Sequence, residues 1–222
     1  MNHAMFLDHP HSRAMLCVPY RRDAQLLMQW MNDPEVRQYL MRYAPIMLEG
    51  EEKWLADMAH RSSSQHAITD AMFVIVAKTG HKNGGKRIGT MGLHRIDWKN
   101  RNAVTGTVIG NKHYRGQGLA TDAKMLLLNW AFNELGLNKV ESRVIATNGR
   151  SLAYGGKCGY EEVGRLKRHV FRHGEYQDEV ILEVHTKEWQ ELWKKFEAGT
   201  FRKEKEPQQT SHNLAWKLQG DE

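Results

Sequence analysis

The run Tyr114-Arg115-Gly116-Gln117-Gly118-Leu119-Ala120-Thr121 constrains this chain more than any other. It joins a strand-like stretch, Val104 to Gly110, to a long helix-like stretch that opens near Leu119. A strand that ends in glycines and turns straight into a helix lets backbone approach whatever lies at the helix start. The first amides of that helix have no partner within it, and the helix dipole adds positive charge there. The run therefore reads as an anion site for a phosphate or pyrophosphate, with Arg115 as a cation beside it. Two common phosphate motifs do not fit. The ATPase loop needs Gly-Lys-Ser/Thr after four intervening residues, which is absent. The dinucleotide fingerprint needs a third glycine where Thr121 stands.

Around this loop the periodicities alternate. Met15 to Tyr20 reads as a strand, and Arg22 to Asn32 has apolar residues at helical spacing (Leu26, Leu27, Trp30, Met31). Asp33-Pro34 caps and restarts a short helix that runs to Leu40 or Met41. Glu49 to Arg61 is a further helix with Trp54, Leu55 and Met58 inward, closed by a loop at Ser62-Ser63-Ser64. Ala71 to Lys78 is unbroken enough to be a strand buried on both faces. After a turn from Gly80 to Gly85 come strands at Lys86 to Trp98 and Asn102 to Gly110. The helix from Gly118 to about Leu135 is apolar nearly all round, with a polar stripe of Asp122, Asn129 and Asn133, so it must be buried on more than one side. Lys139 to Ala146 is a strand, Arg150 to Lys157 a helix, Tyr160 to Phe171 with Gln177 to Val184 a hairpin, and Thr186 to Phe196 a closing helix. This order predicts a mixed α/β sheet with one principal crossover helix.

The length of 222 residues and the 41% hydrophobic content suit one domain with tails. The expected division is a tail at 1–12, a domain at 13–198 and a polar tail at 199–222, where a second subunit could cover Trp216. The first twelve residues lack the apolar core of a leader, and the longest apolar run, Ala71 to Ala77, is far too short to span a bilayer, so a cytoplasmic protein without membrane contact is expected. Cys17 and Cys158 are too few for a disulfide framework. The net charge of +6 is concentrated at 78–101 and 165–172, but no nucleic-acid motif accompanies it. The 12 histidines have no cysteine or carboxylate framework around them, and no metal site is expected.

Arg115, Gly118 and Ala120 satisfy Arg/Gln-x-x-Gly-x-Gly/Ala, a pattern that resembles the acyl-CoA loop of the GNAT acetyltransferase superfamily. Val104 to Gly110 is similar to that family's fourth strand. Asn148-Gly149-Arg150-Ser151 with Cys158-Gly159-Tyr160 resembles its Asn-x-x-Ser/Ala helix and Gly-Phe/Tyr close. Gly164 and Gly174-Glu175-Tyr176-Gln177-Asp178 resemble the final hairpin of ribosomal-protein N-terminal acetyltransferases and spermidine acetyltransferases. The likeness is good from Lys86 to Val184 and weaker from Met15 to Thr79. It implies a GNAT fold: a mixed, mostly antiparallel sheet of six to seven strands, helices on both faces, and a central cofactor-binding crossover helix. It also implies acetyl-CoA as cofactor and transfer of its acetyl group, by direct attack, to a primary amine such as a protein N-terminus, a polyamine or another small amine. A rival reading is a non-catalytic CoA-binding or nucleic-acid-binding module.

By the same resemblance, Val108, Ile109 and Gly110 and the loop residues Arg115, Gly116, Gln117, Gly118, Leu119, Ala120 and Thr121 would bind the cofactor, and Asn148 would bind backbone or the cofactor. Ser151 stands where the ribosomal enzymes carry a serine and is the first choice of proton donor. Tyr154 sits one residue before the usual tyrosine, a rotation of about 100° on a helix, and is the reserve. The family's glutamate positions hold Thr105 and Val170 here. Asp178, His94, His169 or a water relay are then the candidates for the base.

Overall fold

The computed structural model describes residues 5–62, 68–78 and 85–202. Ser63 and Ser64, most of the expected turn after Gly80, and the tail beyond Arg202 with Trp216 lie outside the described residues. One sheet of eight strands organises the chain, in the order β1-β2-β3-β4-β5-β6-β8-β7. The strands are β1 (Met5–Leu7), β2 (Ala14–Cys17), β3 (Ala71–Ala77), β4 (Lys86–Asp97), β5 (Asn102–Ile109), β6 (Lys139–Ile145), β7 (Glu161–Arg172) and β8 (Glu175–His185). The helices are α1 (Ala24–Asn32), α2 (Pro34–Arg37), α3 (Leu48–Ser62), α4 (Leu119–Asn129), α5 (Gly149–Lys157) and α6 (Thr186–Glu197). The sheet has one strand more than the upper expectation. The extra strand is β1, which lies in the segment expected to be a tail. Three residues are too short to show a period, and β1 is defined by its antiparallel pairing with β2. The short helix α2 also ends earlier than expected, at Arg37.

β3 is apolar throughout because both of its faces are covered. Phe73 and Ile75 face the core under α4 and α6, where Leu16, Met91, Leu93, Leu127, Val140 and Trp189 also pack. Val74 and Val76 face the other way with Cys17, beside the cluster formed by Leu27, Trp30 and Leu55 of α1 and α3. α6 presents Trp189, Trp193 and Phe196 on one stripe, with successive ring centroids 5.4 and 5.5 Å apart. Past Asn129 the crossover helix widens into a π turn, Trp130–Glu134, in which the Leu135 amide donates to the Trp130 carbonyl five residues back. Among the described residues no helix is long and apolar enough to cross a membrane.

The feature that positions the site is the β5–β6 pair, the sheet's parallel pair. Its register is Asn102 with Lys139, Ala103 with Val140 and Val104 with Glu141, and it stops there. β5 continues to Ile109 and β6 to Ile145, so beyond Val104 the two strands part and leave a wedge between their edges. Parallel pairing needs a long crossover, which α4 supplies; the loop that opens α4 therefore lies at the mouth of the wedge.

Candidate active site

The loop between β5 and α4 is braced by its own side chains. Asn111 Oδ1 accepts from the His113 amide, and the Gln117 side-chain amide donates to the His113 carbonyl at 2.6 Å. The Arg115 guanidinium donates to the carbonyls of Ile109 (3.0 Å) and Gly110 (3.3 Å) and to Glu35 of α2 (2.7 Å). Arg115 is thus tied to the end of β5 and to Glu35, contacts that shape the loop. The cation that reaches the helix start is Arg13, which the sequence reading missed. Its Nη2 lies 2.8 Å from where a Gly118 Cβ would stand, and its Nε donates to the buried Asp122 at 3.0 Å. Arg202 also pairs with Asp122.

With the side chains turned back, the backbone faces out. Gly116 and Gly118 both take φ +76, a conformation open to glycine. The first bond into α4 is the Asp122 amide to the Gly118 carbonyl, 3.1 Å. Among the described residues no oxygen accepts the amides of Gly116, Gln117, Gly118, Leu119, Ala120 or Thr121. That is a row of free donors at the positive end of a helix, in the loop that follows β5 out of the wedge. Gly110 closes β5 against α1: a Cβ there would fall 2.0 Å from the Trp30 ring.

Asn148 caps α5, accepting from the Ser151 amide at 3.2 Å. The Ser151 hydroxyl is therefore not used as the cap and has no partner among the described residues. Tyr154 reaches further than the sequence suggested. Its hydroxyl lies 2.8 Å from the Thr107 hydroxyl, on the stretch of β5 that has left β6. Burial pushes its phenol well above the ordinary range, so it keeps its proton.

Beneath Thr107 stands Thr105, in the family's glutamate position. It is buried, donates to the Gly92 carbonyl and accepts from Lys124 at 2.5 Å. Lys124 was not singled out in the sequence, yet it is 1% exposed within the crossover helix. Asp122, expected on a polar stripe, is also 1% exposed.

Asp178 accepts from the Arg168 amide (2.9 Å) where β7 shifts register, and faces Arg165 at 3.8 Å. The residue after it, Glu179, went unnoticed in the sequence and is 2% exposed. His94 stands 3.3 Å from Asp70, and His169 3.6 Å from Glu179.

The loop between α2 and α3 is tied to the β7–β8 hairpin. Asn32 holds Ile46 through both its amide and its carbonyl, fixing the loop after α2. Arg172, next to the hairpin tip, donates to the Leu40 carbonyl and lies over the Tyr43 ring, 4.3 Å from its centroid. Tyr39, Arg42, Tyr43 and Glu49 are exposed around this junction, while Glu51 is buried. Burial raises the Glu51 carboxyl, with Arg42 opposing.

Known proteins resemble this chain in sequence and in fold. An uncharacterized N-acetyltransferase p20 from Bacillus licheniformis is 27% identical over 167 residues, 75% of this chain and 89% of the relative. A spermidine N(1)-acetyltransferase of Vibrio cholerae is 29% identical over 115 residues, 52% of this chain and 64% of that protein. The crystal structure of spermidine N-acetyltransferase from Vibrio cholerae in complex with CoA and spermine superposes with a TM-score of 0.70 at 20% identity, covering 80% of this chain and 98% of the other. The model of the acetyltransferase (GNAT) domain matches residues 13–161, about two thirds of the sequence, and the chain belongs to that family.

Proposed function

We propose that this GNAT acetyltransferase carries the acetyl group of acetyl-CoA to the primary amine of a small molecule or peptide that enters over the sheet face opposite α4. The observation that carries the reading is the row of unengaged amides from Gly116 to Thr121 at the mouth of a wedge between parallel strands. These donors and the α4 dipole suit the diphosphate of coenzyme A, and the brace of Arg115, Gln117 and Asn111 holds them in place. Val108 and Ile109 lie on the stretch of β5 that β6 has left, so the pantetheine arm would run beside them, the Ile109 carbonyl being held by Arg115; Asn148 shapes the facing helix start.

Bound acetyl-CoA would supply an activated thioester. The chain supplies position, a proton donor and a place for the amine. Tyr154 is the donor that the geometry favours, since its protonated hydroxyl is held at the wedge by Thr107. Ser151, three residues earlier and unpartnered, is the second hydroxyl on the same helix. The contacts of Asp178 with Arg168 and Arg165 support a structural role in the hairpin rather than a role as base.

Thioester consumption over a panel of polyamines, free-N-terminal peptides and amino sugars tests the function, together with thermal stabilisation by acetyl-CoA. Expected are a melting shift and turnover with at least one amine class. Absence of any melting shift at saturating acetyl-CoA would remove the basis of the reading.

A further inference from the structure

We infer that Arg13, from the far side of the sheet, is the cationic ligand of the cofactor: its guanidinium binds the diphosphate of coenzyme A together with the free amides at the start of α4. The inference deepens the function proposed above and rests on it.

Register brings Arg13 to the right end of the sheet. Ile109, the last residue of β5, pairs with Gly89 on β4, Gly89 with Ile75 on β3, and Ile75 with Leu16 on β2. The chain leaves β5 at that level to build the loop. β2 runs against β5, so residues before Leu16 lie beyond the end of β5. Arg13, in the bend before β2, is three residues or about 10 Å further out, where the loop lies.

The side chain is then tied to α4. The Arg13 amide and its Nε both donate to Asp122 Oδ2, at 2.9 and 3.0 Å, one turn into the helix. Asp122 is 1% exposed on its side chain and Arg13 47%, so the carboxylate holds the inner part of the guanidinium and leaves the outer part in the open. Nη2 lies 2.8 Å from where a Gly118 Cβ would stand. The missing side chain at 118 thus lets the guanidinium lie against the residue whose own amide is free. Among the described residues neither terminal nitrogen of Arg13 has an acceptor.

The charges leave a surplus. Arg202 pairs with the same Asp122 oxygen, so two guanidinium groups share one carboxylate. Among the described residues no other carboxylate pairs with either arginine. One positive charge remains, at the end of α4 that is already positive. The loop's own arginine, Arg115, spends its donors on Ile109, Gly110 and Glu35. The free fork of Arg13 supplies the planar pair of charged donors that phosphate oxygens accept best.

Isothermal titration of wild type, Arg13→Gln and Arg13→Lys tests this with two probes, CoA and dephospho-CoA, which keeps the diphosphate and lacks the 3′-phosphate. Arg13→Gln keeps the backbone amide that donates to Asp122, and Arg202 stays beside it, so the variant should fold. Its Kd is expected to rise by about 10- to 100-fold for both probes alike. The loss of affinity with added salt should also become shallower than in wild type, an effect that a purely structural clamp on Asp122 would not produce. A lysine keeps the charge but cannot hold Asp122 and reach the phosphates at once, so Arg13→Lys should recover only part of the affinity; it carries the same test should Arg13→Gln not fold. Unchanged Kd in the folded variants, or a salt dependence equal to that of wild type, reduces Arg13 to a clamp and overturns the inference. A loss seen with CoA and not with dephospho-CoA places the guanidinium on the 3′-phosphate and overturns it too. Each of these results leaves the acetyltransferase reading standing, whereas failure of wild type to bind CoA overturns both.

Discussion

The Tyr154 hydroxyl on α5 lies 2.8 Å from the Thr107 hydroxyl on β5, bridging the two sides of the wedge just where the parallel strands have separated. A phenol held there and kept protonated by burial is placed to give a proton to a leaving group in the wedge. Tyr154→Phe is expected to lower kcat by about 100-fold or more with little change in KM for acetyl-CoA. Loss of the hydrogen bond should cost only about 1 kcal/mol of stability, so unfolding will not explain the effect. Ser151→Ala, which leaves the Asn148 cap in place, should change kcat much less. Steady-state kinetics on the two variants ranks the two hydroxyls, and equal rates in Tyr154→Phe and wild type would dismiss Tyr154.

The parts that local pattern controls were legible in the sequence. Gly118 before an apolar helix requires a left-handed residue and free amides, and both are found. The unbroken run of β3 requires cover on both faces and has it. What the sequence did not show depended on partners far away along the chain. Arg115 reads as a ligand in its motif, but its partner Glu35 lies 80 residues earlier. Lys124 reads as a solvated position, yet its amine reaches Thr105 on β5. The π turn at Trp130 leaves no trace in composition. Tyr154 ranks only as the reserve when rotation is counted about an ideal helix, yet its hydroxyl reaches Thr107.

Gly118 carries the cofactor loop. At φ +76 a side chain costs on the order of 1–2 kcal/mol, and a Cβ would also press on Arg13 Nη2 at 2.8 Å. Arg13 is flexible enough to give way, so Gly118→Val should fold with a melting temperature lowered by a few degrees. Its branched side chain would stand beside the amides, however, and the stabilisation by acetyl-CoA should vanish. Differential scanning fluorimetry with and without acetyl-CoA reads both effects. A full melting shift in the variant would place the diphosphate elsewhere.

Arg115 offers a choice between scaffold and ligand. Its planar fork reaches two carbonyls and a carboxylate at once, which a lysine ammonium does not reproduce. Arg115→Lys is therefore expected to lower the melting temperature without acetyl-CoA and to weaken acetyl-CoA binding together. Glu35 is 60% exposed on its side chain, so Glu35→Gln should cost less than about 1 kcal/mol. Isothermal titration decides the matter. If Arg115 were a phosphate ligand restrained by Glu35, Glu35→Gln would tighten acetyl-CoA binding; the scaffold role predicts affinity unchanged or slightly weaker.

Lys124 makes stability depend on pH in a direction that can be worked out. Its amine is buried and donates to Thr105, with the Tyr154 and Tyr160 rings 5.8 and 5.9 Å away. Among the described residues no carboxylate lies within ion-pair distance. Burial pushes its pKa down to about 7 from an ordinary 10.5, with Cys158 opposing. Above about 7 the folded amine is neutral while the unfolded one still holds its proton. The unfolded state then binds more protons, and stability rises with pH by up to about 1.4 kcal/mol per unit. Burial holds the Cys158 thiol up at about 12, which acts in the opposite sense once an unfolded thiol begins to ionise near its ordinary 9.0. The clean window is therefore about pH 7 to 8.5. Wild type should gain stability across it in urea unfolding, and Lys124→Met, which keeps the volume and removes the charge, should gain much less. Parallel curves for the two proteins would show that the amine stays charged in the core, and would require a counter-charge that the fold has not revealed.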